Sequence, residues 1–246
     1  MEPLFAIITV TFNAETTLAR TLDSVDSQTF DDYEHIVVDG ASTDGTLTIA
    51  ESRPNKRRRI VSEPDKGLYD AMNKGMSRTS GKYLIFLNAG DKFHSPDTLG
   101  IIAKAIFEND IPGIVYGQTI VVDNEGAVIG PRHLTAPAAL TLKSFANGML
   151  VCHQSFIALR RIAGSYDTRY RFSADYDWCI RCLQHSRKSV GLGDTVLVDY
   201  LNEGETSRNH YRSLRERFRI MCYYYGTAGT VLRHIKFLFR SLKRKI

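Results

Sequence analysis

The sequence predicts an α/β fold in which a mostly parallel sheet is covered by helices on both faces. Three observations carry that expectation. Apolar, β-branched runs of strand length alternate with segments of helical period through the first half of the chain. Each run ends in a polar, acidic or glycine-bearing turn, and no internal repeat or low-complexity linker interrupts the alternation. The chain has 246 residues, 43% of them hydrophobic and 24% charged. That is enough to bury a large core without disulfides.

The elements follow in order. Residues 4–11 form an apolar run suited to a buried strand. Residues 14–28 carry helical period through Leu18, Leu22 and Val25. A second strand is expected over 35–39, a helix over 43–52 and a third strand over 59–62. A helix over 68–78, a very apolar strand over 83–87, a helix over 96–109 and a strand over 113–116 complete the first half. Beyond it, residues 155–159 suit a strand and 173–183 a helix.

Cys152, Cys179, Cys182 and Cys222 give no disulfide framework and are expected as free thiols. Cys179 and Cys182 lack a second ligand pair for zinc, so packing on a helix is expected of them, as of Trp178. No basic segment precedes the first strand, so no signal peptide is expected. No apolar run reaches the ~18 residues of a spanning helix. The expected location is therefore the cytoplasm. The net charge of +5 is uneven: residues 212–246 carry ten Lys or Arg and one acid, Glu216, which leaves the body at −4. A basic tail on an acidic body argues against nucleic acid as the partner.

In such sheets, ligands bind beyond the carboxyl ends of the strands. Those ends carry Asn13, then residues 39–44 (DGASTD), 63–67 (EPDKG) and 88–91 (NAGD). Asp39 precedes any capping position and suits a contact to a base or ribose. Ser42 or Thr43 suits a helix cap and Asp44 the helix dipole. Asp91, at the end of a buried strand, suits either a hard cation holding a diphosphate or a simple turn. The run SADYDW (173–178) sets Asp175 and Asp177 at a helix start. One of them could be a general base for a hydroxyl, and two residues apart they cannot share one direction. His153 could touch a ligand or pack. Residues 56–59 (KRRR) suit a solvated turn, and Arg132 with His133 falls in an uninformative loop.

Four of these stretches, ITVTFNA (8–14), VVDGASTDGT (37–46), SEPDKGLYDAMNKG (62–75) and FLNAGD (86–91), stand in the order and spacing of a known pattern. The chain resembles the family 2 glycosyltransferases of GT-A fold, particularly those of bacterial exopolysaccharide and colanic-acid-type clusters. The detailed match spans residues 4–95, weakens over 152–183 and is absent in the tail. The resemblance implies a Rossmann-like mixed sheet over residues 1–211, with a nucleotide-sugar-binding half (1–116) and an acceptor half (117–211). It implies inverting, metal-dependent transfer of a sugar from a UDP- or GDP-linked donor to an acceptor hydroxyl. Asp39 would contact the base, with Thr11 and Asn13 lining the same pocket. Gly67, Asp70 and Asn88 would face the donor, Asp91 would bind Mn²⁺ or Mg²⁺, and Asp175 would be the base. The sequence departs from the family in having one carboxylate over 88–91 and in placing Ala174 where a glutamate usually precedes the base.

On a helix over 228–242, Val231, Ile235, Leu238 and Leu242 share one face, with Arg233, Lys236, Arg240 and Lys243 opposite. This basic amphipathic tail suits a peripheral position on an anionic membrane, at the inner face of the cytoplasmic membrane, and equally a helix packed on the body. The acceptor would then be a glycan or a lipid-linked sugar. A nucleotide-sugar-binding scaffold and a sugar nucleotidyltransferase are the competing readings. The second lacks the glycine-rich basic loop it would need near residues 9–14.

Overall fold

All seven residues of strand β1 (Phe5–Thr11) are buried, because the strand has helices on both faces. Alternation decides which layer each residue joins. Ala6, Ile8 and Val10 pack with Ile36, Val38, Leu84 and Phe86 against one layer of helices. Phe5 and Ile7 pack with Tyr83 and Ile85 against the other. The computed structural model describes residues 2–202 and 210–242, with side chains for 2–202 and 211–237.

The first half runs β1, α1 (Leu18–Asp26), β2 (Tyr33–Asp39), α2 (Thr46–Glu51), β3 (Arg58–Ser62), α3 (Leu68–Ser77), β4 (Tyr83–Phe86), β5 (Lys92–Phe93) and α4 (Thr98–Glu108). The second half adds β6 (Ile114–Val122), β7 (Val128–Pro131), α5 (Leu142–Phe145), β8 (Phe156–Leu159), α6 (Ala174–His185), β9 (Ser189–Leu201), α7 (His210–Tyr225) and α8 (Thr227–Leu242). The sheet order is β3-β2-β1-β4-β8-β6-β9-β5, with β7 paired to β6.

Strands β3, β2, β1 and β4 are parallel, and Thr11, Asp39 and Ser62 lie side by side in register. Their carboxyl ends therefore open on one edge. The remainder is mixed: β8 runs antiparallel to β4 and β6, while β9 runs parallel to β6. The expected helices of the first half are present with shorter ends, while α6 runs two residues past its expected end, to His185. The long strand β9, the extension of β6 to Val122 and helix α7 were not among the sequence expectations.

Several side chains settle open alternatives. Trp178 is fully buried and its indole N–H donates to the Gly164 carbonyl at 2.7 Å. Cys179 and Cys182 are buried in the same core, and burial pushes both thiols up. The basic run 56–59 is more than a solvated turn. Arg58 is nearly buried and ion-paired with Asp26, Arg57 pairs with Asp31 at 3.0 Å, and Arg59 pairs with Glu34 at 3.1 Å. The tail folds as two helices that turn at Gly226. Of its expected faces, the side chains of Leu238, Arg240 and Leu242, and all of Lys243, Arg244 and Lys245, lie outside the described residues. No helix among the described residues is long and apolar enough to cross a membrane.

Helix α3 lies close on β1: a Cβ added at Gly75 would meet Ile8 Cγ2 at 2.4 Å. Gly75→Ala gains about 1 kcal/mol of helix propensity but forces about 1–3 kcal/mol of overpacking. The expected net result is a lower urea midpoint with an unchanged slope. A midpoint equal to or above the parent's would contradict the close approach of α3 to β1.

Candidate active site

Residue Thr11 ends β1 and Asn13 follows at φ 47°, a left-handed turn that aspartate and asparagine tolerate. Asn13 binds the next strand's loop twice: its amide donates to Ser42 Oγ at 2.8 Å, and its Oδ1 accepts from Thr43 N at 2.9 Å. Asp39 ends β2 and is 1% exposed. It accepts from Ser42 N at 3.1 Å, Ser42 Oγ at 2.5 Å and Ser62 Oγ at 2.6 Å, so it fixes the loop and the end of β3 together. The cap position of α2 is Gly45, so neither Ser42 nor Thr43 caps that helix, contrary to expectation. Asp44 stands just before it and accepts from Thr46 N at 3.0 Å, and its hydrogen bonds with Thr46 hold its acid below the usual range.

Between Thr11 and Asn13 lies Phe12, an aromatic inside the segment expected to line the pocket but given no role of its own. Phe12 is 62% exposed, and Phe12 and Asp65 both close over Gly40, where a Cβ would meet them at 3.3 and 2.5 Å. Its signal was available, since a phenylalanine directly after a buried strand has no core left to fill. Gly67 opens α3 with open space beside it. Asp70, in the first turn of α3, accepts from Lys66 N at 3.0 Å and lies 3.6 Å from Lys74 Nζ. That carboxylate is engaged in holding its own loop.

Two buried polar atoms at this edge have no hydrogen-bond partner among the described residues: Thr11 Oγ1 and Asn88 Oδ1. Unpaired polar atoms are costly when buried, so such atoms at strand ends mark places where a ligand would supply the missing bonds.

Helix α6 brings two carboxylates, and the structure separates them. Asp177 is buried; its Oδ2 accepts from Arg181 Nε at 2.7 Å and its Oδ1 from the Tyr224 hydroxyl at 2.8 Å. Asp175 is half-buried. Its Oδ1 accepts from the Tyr69 hydroxyl at 3.0 Å and from Tyr176 N at 2.9 Å, while nothing among the described residues donates to Oδ2. Tyr69 stands in the first turn of α3, immediately beyond Gly67, so this bond joins the donor-side helix to α6. Burial and the Asp175 charge raise the Tyr69 phenol well above its ordinary value, so it remains a proton donor. Tyr69 stacks on Tyr166, and Tyr166 stacks on Trp178. His153 lies in the same cluster, bonded to the Tyr166 hydroxyl; burial lowers its imidazole to about 4, which assigns it to packing. Arg217 of α7 acts electrostatically on Tyr69, and its buried Nε has no partner.

Asp91 requires a separate test as the expected metal ligand. It is 3% exposed; its Oδ1 accepts from Leu201 N at 3.0 Å and its Oδ2 from Gln154 Nε2 at 2.7 Å. Among the described residues no three His, Cys, Asp or Glu side chains gather as a ligand set. Asn88 Oδ1 is an oxygen of the kind a hard cation takes. One amide oxygen and one carboxylate form no all-protein cage; an ion held here would draw its remaining ligands from a diphosphate and water, as Mg²⁺ and Mn²⁺ commonly do. Within the protein Asp91 is a tie between the turn after β4, the end of β9 and Gln154.

Four parallel strand ends, two of them carrying an unpaired buried polar atom, and a carboxylate to whose second oxygen nothing among the described residues donates make up the arrangement at this edge of the sheet. The comparisons with known proteins identify the family. The model of "Glycosyl transferase family 2" matches residues 6–164. A PGL/p-HBAD biosynthesis glycosyltransferase of Mycobacterium bovis is 36% identical over 211 residues, covering 83% of this chain and 79% of its own. Staphylococcus aureus TarS, residues 1–349 in complex with UDP-GlcNAc, superposes with a TM-score of 0.73 at 20% identity, over 96% of this chain and 73% of its own. The mannosyltransferase PcManGT of Pyrobaculum calidifontis, in complex with GDP-Man and Mn²⁺, gives a TM-score of 0.60 at 17% identity, over 95% and 74%. The chain belongs to glycosyltransferase family 2.

Burial raises the Asp91 acid from 3.8 to about 7 against the opposing bonds from Leu201 and Gln154. The folded value exceeds the unfolded one, so its contribution to stability is complete below about pH 4 and is lost as pH rises through about 7. Stability should therefore fall between about pH 4 and about pH 7 and level off above, and Asp91→Asn should flatten that fall. Asp91→Ala leaves Leu201 N and Gln154 unpaired and should lower stability by about 2–4 kcal/mol in urea unfolding without added metal. An Asp91→Ala protein as stable as its parent would contradict the tie.

Proposed function

We propose that the chain transfers one sugar, with inversion, from a nucleoside-diphosphate sugar to an acceptor hydroxyl. One observation carries this reading: Asp175 has one carboxylate oxygen fixed by Tyr69 and Tyr176 N and the other left open. A sugar hydroxyl is a weak nucleophile until a placed base takes its proton. Asp175 Oδ2 takes that proton as the acceptor oxygen bonds to the anomeric carbon. The bond from that carbon to the diphosphate oxygen breaks on the opposite face, and its electron pair leaves with the diphosphate. No covalent sugar–enzyme intermediate is needed.

The donor's nucleoside occupies the edge formed by Thr11, Asn13 and Asp39, with Phe12 offering an exposed ring beside it. Its diphosphate lies toward Gly67, the Asp70 turn and Asn88. The unpaired Thr11 Oγ1 and Asn88 Oδ1 support this placement. The complexes of TarS with UDP-GlcNAc and of PcManGT with GDP-Man support a uridine- or guanosine-linked donor. Mn²⁺ accompanies GDP-Man in that second protein. A divalent ion would be held here by Asp91 and Asn88 together with the donor's diphosphate, and would supply neutralisation of the charge that the leaving diphosphate gains.

The acceptor is a glycan or lipid-linked hydroxyl of bacterial surface polysaccharide or glycolipid assembly. The similarity to a PGL/p-HBAD biosynthesis enzyme supports that class. The enzyme works as a peripheral protein on an anionic membrane surface, at the inner face of the cytoplasmic membrane. The exposed apolar side chains of α8 support this position.

The first test is release of nucleoside diphosphate from a panel of UDP- and GDP-sugars, with Mn²⁺, with Mg²⁺ and with chelator, in the presence of candidate acceptors. Asp175→Asn should bind the donor with unchanged affinity by calorimetry and lose about 100-fold or more in transfer. Full transfer by this variant would remove Asp175 as the base. An absence of any nucleotide binding by the parent protein would remove the transferase reading.

A further inference from the structure

Helices α7 and α8 carry their charge without internal counterions. Glu216 is the only acid in residues 210–246, and its two oxygens accept from the backbone amides of Arg171 and Phe172 at 3.0 and 2.8 Å. Beside α8 lies a groove of about 450 Å³, lined by Lys143 and Asn147 from the α5 turn and by Leu232, Arg233, Lys236 and Phe237. No acid lines it. Among the described residues none of its three cations has an ion pair; Arg233 rests over the Tyr225 ring, its guanidinium 5.9 Å from the centroid.

The apolar pattern of α8 points outward at the same place. Thr230 is buried and Phe237 packs against the core, which turns that side of the helix inward. Val231, Leu232 and Ile235 are 42, 63 and 46% exposed. Leu232 stands at the rim of the groove. A soluble helix normally turns such residues inward, and apolar side chains exposed beside unpaired cations match the two layers of a membrane surface. The cations meet phosphate, and the apolar side chains meet the boundary of the acyl chains. Long basic side chains reach up to the phosphate while their stems lie among apolar atoms.

We propose that the groove between the α5 turn and α8 is a binding site for the phosphate of an anionic membrane lipid, with Val231, Leu232 and Ile235 seated in the headgroup layer. The site gives residues to the membrane position of the proposed function and rests on that reading. It is separate from the transfer chemistry, because none of its residues belongs to the strand-end site or to Asp175.

The full chain is sedimented with vesicles of phosphatidylcholine alone and of phosphatidylcholine containing phosphatidylglycerol. Binding should require the anionic lipid. Replacing Lys143, Arg233 and Lys236 together by Gln should lower partitioning roughly 100-fold, since each basic residue near an anionic surface is worth about fivefold. Replacing Lys56, Lys82 and Lys104 by Gln, exposed lysines outside the groove, removes the same charge and should change partitioning by less than about twofold. Leu232→Ser with Ile235→Ser should lower it by about tenfold while leaving the cations in place. Equal losses from the two charge-matched triples, unchanged binding in the groove triple or in the serine pair, or displacement by inorganic phosphate at constant ionic strength would each overturn the site. Nucleoside diphosphate release from the same proteins separates the two readings. Its absence in the parent counts against the transferase, while the vesicle result still decides the groove.

Discussion

The hydrogen bond from the Tyr69 hydroxyl to Asp175 Oδ1 is the constraint on which the site depends. Tyr69 belongs to α3, which follows the donor-side loop after β3, and Asp175 belongs to α6 in the second half of the chain. The two residues are 106 positions apart. Their contact fixes the Asp175 carboxylate, the proposed base, relative to the strand ends. Tyr69 is itself held by stacking on Tyr166 at 5.4 Å, and Tyr166 by stacking on Trp178 at 5.2 Å. The orientation of the carboxylate is thus a consequence of core packing, and core packing has few soft adjustments. A hydrogen-bonded base whose second oxygen stays open is already placed before any acceptor arrives.

A second tie keeps the halves of the sheet in place. Asp91 stands where the chain turns after β4, yet its partners lie in the second half, at Gln154 and at the end of β9. Burial opposes its charge, and the two donated bonds favour it; burial is the larger influence. A neighbouring hydroxyl extends the network, with Thr21 Oγ1 donating to the Asp91 carbonyl at 2.7 Å and accepting from Gly90 N at 2.9 Å. The turn at 88–91 is therefore braced from α1, β9 and Gln154 together. Asn88 Oδ1, buried and without a partner among the described residues, remains its uncommitted oxygen.

Much of the donor half was legible in the sequence, because strands buried on both faces leave uninterrupted apolar runs and each run ended in recognisable turn residues. The choice between Asp175 and Asp177 was legible only as a separation in direction; the partners that engage Asp177, Arg181 and Tyr224, come one turn later and from α7. The strand β9 was not legible. Its sequence, SVGLGDTVLVDYL, holds two glycines and two aspartates, and its exposed middle lacks a simple alternation. The inward commitment of Asp91 was also hidden, because the residues that bind it lie 63 and 110 positions away. In the tail the helix was legible, but the face that meets the body was not: Thr230 turns inward while Val231 and Ile235 turn out.

The most direct test of this account is a comparison of kcat, KM and donor affinity between Tyr69→Phe and the parent enzyme. The replacement keeps the ring and its stacking on Tyr166 and removes only the hydroxyl. Without that donated bond the Asp175 carboxylate is free to turn from its placed orientation, so kcat should fall about tenfold or more while donor affinity by calorimetry stays within about twofold of the parent's. An unchanged kcat, or a loss confined to donor affinity, would contradict the claim that Tyr69 holds Asp175 as the base.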